Sequence, residues 1–209
     1  MNDNNYFRDY IESIYNGLLS SEYKKDFKVI DPKYFFFEVN QKLIELKKTN
    51  NKIFFFGNGA SAAFANHMSL DFSKNGGILS RSLSDSAFLT ALSNDYSFDN
   101  ALVEYLKIEG VNKNDLIITI SSSGNSPNII NVLNYCMQNE INTLALSGLK
   151  KDNKSIKLAN YSIYVPMKTY GMVECIHQVF LHLILDQNMG IFEWERDEFQ
   201  NMNSNNFKL

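Results

Sequence analysis

Thr119-Ile120-Ser121-Ser122-Ser123-Gly124-Asn125-Ser126-Pro127 is the stretch on which the reading of this chain turns. It follows an apolar run over 116–120 and precedes a helical pattern over 128–137, so a strand, a tight serine-rich turn and a helix start stand in succession. Ser126 suits the N-cap, and Pro127 suits the first helical position, where a missing N–H leaves nothing unsatisfied. Such a turn aims backbone N–H groups and the positive end of a helix dipole at one point, ringed by hydroxyls. The pattern predicts a phosphate cradle built without lysine or arginine. The plain alternative is a βα loop that merely happens to be serine-rich.

A second segment has the same design. The apolar run 52–56 leads into Gly57-Asn58-Gly59-Ala60-Ser61-Ala62-Ala63. Gly57 and Gly59 permit the positive φ or close backbone approach of a strand-to-helix turn, and Ser61 falls in the first helical turn. No GK[ST] follows, and Ala62 breaks the full dinucleotide-binding GxGxxG spacing. Two serine-bearing turns can converge at the carboxyl edge of a parallel sheet, where open α/β folds bind ligands.

The chain has 209 residues, a formal charge of −3 and basic and acidic residues mixed along its length. That length supports one domain with a sizeable core. No basic tract points to nucleic acid. Cys136 and Cys175 fall in predicted helices and are expected as buried thiols rather than a disulfide. No signal peptide is visible at the N-terminus and no apolar run approaches the ~20 residues of a membrane span, so a cytoplasmic protein without membrane contact is expected.

Along the chain, residues 6–20 and 33–48 show helical spacing ahead of the first strand. Two helices outside any βαβ unit suggest an oligomerisation hairpin, or else packing on their own domain. From residue 52, strands (52–56, 80–84, 115–120, 142–147, 161–165) alternate with helices (59–74, 86–94, 99–108, 127–138, 170–188). This predicts a parallel sheet covered on both faces. The division expected is N-terminal helices over 1–50, an α/β core over 51–189 and a tail over 190–209, bearing Phe192, Trp194 and Phe199, that adds a short helix packed on a neighbour before a disordered end.

The titratable candidates lie on two of these helices. His67 and Asp71 stand four residues apart on helix 59–74, and Glu174, Gln178 and His182 follow at four-residue steps on helix 170–188. Such spacing suits a shared metal or a His–carboxylate pair for acid–base work, or simply helix-surface pairs worth about 0.2–0.5 kcal/mol each. His177 faces another side among Val173, Ile176, Phe180 and Leu181 and is read as structural.

GNGASAAFANHMSLDF (57–72), LTALSNDYSFD (89–99), ITISSSGNSPNII (118–130), TLALSG (143–148) and ECIHQVFLH (174–182) together resemble the SIS (sugar isomerase) domain family, in particular its phosphoheptose isomerase branch. The resemblance spans roughly residues 35–188. It implies a three-layer α/β/α sandwich with a five-stranded parallel sheet, and a homotetramer assembled through N-terminal helices with active sites between subunits. It implies isomerisation of sedoheptulose 7-phosphate to D-glycero-D-manno-heptose 7-phosphate for bacterial heptose synthesis. Matched residue by residue, the phosphate ligands are Ser121, Ser122, Ser123 and Ser126, and the sugar is lined by Asn58, Gly59, Ser61 and Asp95. His67, Asp71, Glu174 and His182 match positions at which some members hold zinc. Asp71 then matches the base and His182 its acid–base partner, with Glu174 as a rival base.

This chain departs from the family pattern. Asp71 stands where Glu is usual, Glu174 where Gln is usual, and Gly171-Met172 replaces an Asp-Arg pair. Two carboxylates around one site are expected to tighten divalent-cation binding. Within the resemblance, another phosphosugar as substrate, or a non-catalytic sugar-phosphate sensor or replication-initiator-associating protein, are the rival readings. A pure binder is expected to keep the serines and lose the His–carboxylate pairs, and this chain keeps both.

Overall fold

The computed structural model describes residues 5–192; Trp194, Phe199 and the short helix expected in the tail lie outside the described residues. The elements run α1 (Tyr6–Leu19), β1 (Glu22–Lys25), β2 (Lys28–Val29), α2 (Pro32–Thr49), β3 (Ile53–Gly57), α3 (Ala60–Lys74), β4 (Ser80–Ser82), α4 (Ser86–Tyr96), α5 (Phe98–Ile108), β5 (Leu116–Ser121), α6 (Pro127–Gln138), β6 (Asn142–Gly148), β7 (Tyr161–Val165) and α7 (Tyr170–Met189). The sheet order is β2-β1-β7-β6-β5-β3-β4. All five expected parallel strands pair as parallel neighbours.

The sheet nevertheless has seven strands rather than five. A β1–β2 hairpin, absent from the sequence reading, adds antiparallel to β7. It turns through Asp26 and Phe27, both at positive φ (47° and 68°). Its residues, Glu-Tyr-Lys-Lys and Lys-Val, carry too few apolar side chains to read as strands. Lysines of this kind are what an edge strand uses to discourage further pairing.

Both faces of the sheet are covered, which is why β3 is apolar without alternation. Ile53 and Phe55 enter the layer of α2, α3 and α7, while Phe54 and Phe56 enter the layer of α4, α5 and α6. α2 buries Phe35, Val39, Leu43 and Leu46 in the first layer, so the second N-terminal helix packs on its own chain. α1 differs: Gly17 is its one buried residue, set where an added Cβ would stand 2.6 Å from Ile176 Cδ1. Its Tyr6, Phe7, Ile11, Tyr15 and Leu19 stay exposed. Both cysteines are free; Cys136 is buried as expected, whereas Cys175 is exposed.

His177 is completely buried on α7, and neither ring nitrogen has a hydrogen-bond partner. Burial pushes its pKa down to about 4, opposed by the nearby Ser147 backbone, which lies outside hydrogen-bonding geometry. An imidazole held neutral in the fold takes up a proton only on unfolding, so its contribution to stability is complete above pH ~6.5 and lost as pH falls toward 4. Urea titrations between pH 7 and 4.5 should show stability falling, by up to roughly 3 kcal/mol from this group. His177→Leu should flatten that slope; an unchanged slope would mean that other groups carry it.

Candidate active site

Two loops at the carboxyl ends of the adjacent strands β3 and β5 form a cavity of about 350 Å³. Asn58, Gly59 and Ser61 line it from the first loop, Ser121, Ser122, Ser123 and Ser126 from the second, and Tyr170 and Glu174 from α7. No lysine or arginine lines it. Every expected serine is therefore gathered in one place, together with Asn58 and Gly59. Tyr170 was not foreseen.

The local backbone explains the shape. An added Cβ at Gly57 would stand 2.5 Å from the Ser61 carbonyl carbon, and Gly59 opens α3 at φ +57°. In the second loop Gly124 N–H donates to Ser121 O (2.9 Å), and Gly124 adopts φ +61°. Ser126 occupies the N-cap of α6 with Pro127 behind it, yet its side chain makes no capping bond. Its Oγ lies 3.5 Å from Ser121 Oγ, and Ser122 Oγ has no partner. Hydroxyls and helix N-terminal amides not consumed internally are what an anion needs.

Residues the sequence reading passed over hold these loops together. Asn128, 2% exposed, exchanges two amide hydrogen bonds with Asn58, at 2.9 and 2.8 Å, and its Oδ1 also accepts from Ile129 N (3.0 Å). Buried Asn153 donates to Ser147 Oγ (3.1 Å) and the Lys150 carbonyl (2.8 Å). Ser155 N and Oγ both donate to Gly124 O, and Lys154 N donates to Asn125 Oδ1 (3.0 Å).

The second group lies between α3 and α7. His67, Asp71 and His182 bring one donor atom each within 4.8 Å of one another. His67 Nε2 is 3.2 Å from Asp71 Oδ2, and the two imidazoles lie 5.4 Å apart, edge to face. Nitrogen and carboxylate donors in such a group suit a divalent cation. Glu174, expected as a fourth ligand, is not part of this group; it lines the serine cavity instead. The helical period puts it on the His182 side of α7, but eight residues of rise, about 12 Å, separate the two along the axis. The cluster of one chain thus holds one carboxylate rather than the two expected. Asp95 is also elsewhere: it is exposed near the end of α4, accepts from Asn94 Nδ2 (2.9 Å) and does not line the cavity. His182 and Gln178 lie in the wall of a larger groove, about 1060 Å³, between Phe36, Phe64 and the outer face of α7.

A mostly parallel sheet with a serine-lined cavity at its carboxyl edge defines an open α/β protein, and the chain belongs to the SIS domain family, which matches residues 39–148. It is 36% identical over 149 residues to phosphoheptose isomerase 2 of Campylobacter jejuni, covering 68% of this chain and 73% of that protein. It is 36% identical over 153 residues to the phosphoheptose isomerase of Aneurinibacillus thermoaerophilus, covering 70% and 76%. The phosphoheptose isomerase structure from Neisseria gonorrhoeae superposes with a TM-score of 0.74 at 22% identity, over 87% of this chain and 94% of that one. Among the described residues no helix is long and apolar enough to cross a membrane.

Gly124→Ala tests the cradle. Its Cβ would stand 2.2 Å from Asn153 Oδ1, in a backbone conformation that L side chains resist. Binding of inorganic phosphate by calorimetry should weaken about tenfold or more, since strain of ~1–3 kcal/mol must be relieved by moving the loop. Unchanged affinity would place the anion elsewhere.

Proposed function

We propose that this protein is a phosphoheptose isomerase, interconverting sedoheptulose 7-phosphate and D-glycero-D-manno-heptose 7-phosphate through an enediol. The observation that carries the reading is a serine cradle and a His–carboxylate cluster in one chain of the SIS family. A sensor needs only the cradle. Relatives at 36% identity that bear the isomerase name support the same reading.

The phosphate docks in the cradle, and that remote binding energy holds the far end of the sugar for reaction. A base carries a proton between C1 and C2, and an acid–base partner serves O1 and O2. Following the resemblance, Asp71 is the base and His182 the partner. In its own chain His182 lies two turns of α7 beyond Glu174, which stands at the cradle. The proposed site is therefore composite, with the cluster of a neighbouring copy facing the cradle in a homotetramer. The exposed apolar side of α1 and the groove beside α7 favour such association. Zinc is the proposed cation at His67, Asp71 and His182, where it would supply a Lewis acid for the carbonyl oxygen.

Proton NMR of the protein loaded with zinc and sedoheptulose 7-phosphate should show an aldoheptose anomeric signal that His182→Ala abolishes. Absence of product, with sugar phosphates still stabilising the fold, would favour another phosphosugar or a sensor. Asp71→Asn should lower kcat by about two to four orders of magnitude, the scale of a lost acid–base group. If Glu174→Gln does so and Asp71→Asn does not, Glu174 is the base.

Subunit mixing tests the composite site. Ser126→Asp, which places a carboxylate in the cradle, and His182→Ala should each be inactive alone. Their co-expressed hybrid should recover activity, because some sites then combine an intact cradle with an intact cluster. No recovery in a verified hybrid would confine the site to one chain.

A further inference from the structure

Tyr170 and Glu174, one turn apart on α7, line the serine cavity. His177 comes seven residues after Tyr170, close to two full turns, so it stands on the same stripe of the helix, below the cavity. Helical Cα–Cβ bonds tilt toward the helix N-terminus, and α7 begins at the cavity, so the His177 ring leans toward the cavity floor. The imidazole is wholly buried beside the backbone of Ser147, and neither nitrogen has a hydrogen-bond partner. Ser147 pairs with Ser121 across β6 and β5, and on the next rung Gly148 N donates to Ser122 O (3.0 Å). Ile118 and Ile120 enter the layer that holds Val173 and Ile176 of α7, and the period of two carries Ser122 to that same face. Ser122 is 5% exposed and lines the cavity, and its Oγ likewise has no partner. Thr119, whose hydroxyl is also unpartnered, alternates to the opposite face.

We infer that His177 is a positioning residue of the cradle, giving its ring N–H to Ser122 Oγ so that the serine hydrogen is aimed at a bound phosphate. The inference rests on the reading of the cavity as a phosphate site. A phosphomonoester dianion has no proton to give, so a hydroxyl that serves it must donate its single hydrogen. The lone pairs of that hydroxyl are then left facing the protein, where a buried acceptor without a partner is costly. A neutral imidazole offers one N–H and one lone pair. Turned with its N–H toward Ser122, it blocks the opposite sense, in which the serine would give its hydrogen to the ring and show lone pairs to the anion. One bond thus satisfies the serine oxygen and the imidazole N–H together, and the second ring nitrogen keeps its lone pair. The sense of each hydroxyl matters here because no lysine or arginine lines the cavity. The bond forms as the anion fixes the serine rotamer, so contact and binding are one event.

Calorimetry with inorganic phosphate, and nitrogen-15 spectra of the histidine side chains, three in the chain, test this. On addition of phosphate His177 should settle into one tautomer, read as one protonated and one bare ring nitrogen, and the change should vanish in Ser122→Ala. His177→Leu should weaken phosphate binding about tenfold, the scale of one hydrogen bond. In a Ser122→Ala background the same substitution should bring no further loss, the mark of a shared interaction. His177→Asn or His177→Gln, which keep an amide N–H near the place of one ring nitrogen or the other, should recover affinity in at least one case. Equal losses in both backgrounds would assign His177 to packing and overturn the inference. So would His177 signals that saturating phosphate leaves unmoved, a result that needs no folded His177→Leu. If the unsubstituted protein binds no phosphate, the reading of the cavity fails first and the inference falls with it.

Discussion

The site depends on one reciprocal contact, the double amide bond between Asn58 and Asn128. Each side chain gives its N–H to the other's carbonyl, so two loops leaving neighbouring strands are tied at their bases. Asn128 is buried and Asn58 half-buried, and a polar pair of this kind rewards full satisfaction and penalises the loss of either member. The pair leaves the hydroxyls of Ser122 and Ser126 without strong internal bonds, free for a ligand. Rigidity in the second row of residues thus permits unsatisfied groups in the first.

Around that tie, the fold divides the chemistry into two stations. The cradle lies at the carboxyl edge of β3 and β5, the usual ligand position of an open α/β sheet. The cluster lies on the outer layer between α3 and α7, bordering an apolar groove. In the composite site proposed above, assembly rather than the fold of one chain would bring a sugar phosphate held by the first to the second.

Much of this was legible in the residues. The central parallel strands could be read because a sheet covered on both faces makes them continuously apolar, as Ile53–Gly57 is; the edge strand β4, Ser-Arg-Ser, has no such signal of its own. The cradle could be read because its chemistry is local, residing in turns a few residues long. The β1–β2 hairpin could not, since its lysines and single buried tyrosine look like a loop until β7 offers a partner. Asn128 was hidden because its partner stands 70 residues away. Within one chain Glu174 stands apart from the cluster for a geometric reason. Helical period reports the direction in which a side chain points, and says nothing of how far along the axis it stands. Asp95 came to the sugar by resemblance alone, and in one chain it faces solvent at the end of α4.

α7 is a helix of 20 residues whose first turns border the cradle and whose middle carries the cluster. It rests so closely on the sheet that a Cβ at Gly148 would lie 2.6 Å from Val173. A rod seated that tightly cannot adjust at one end alone. On the proposed function, an anion in the cavity that Glu174 borders and a cation at His182 would then be linked through this helix. Whatever factor phosphate then applied to the affinity for the metal, the metal would return to the affinity for phosphate.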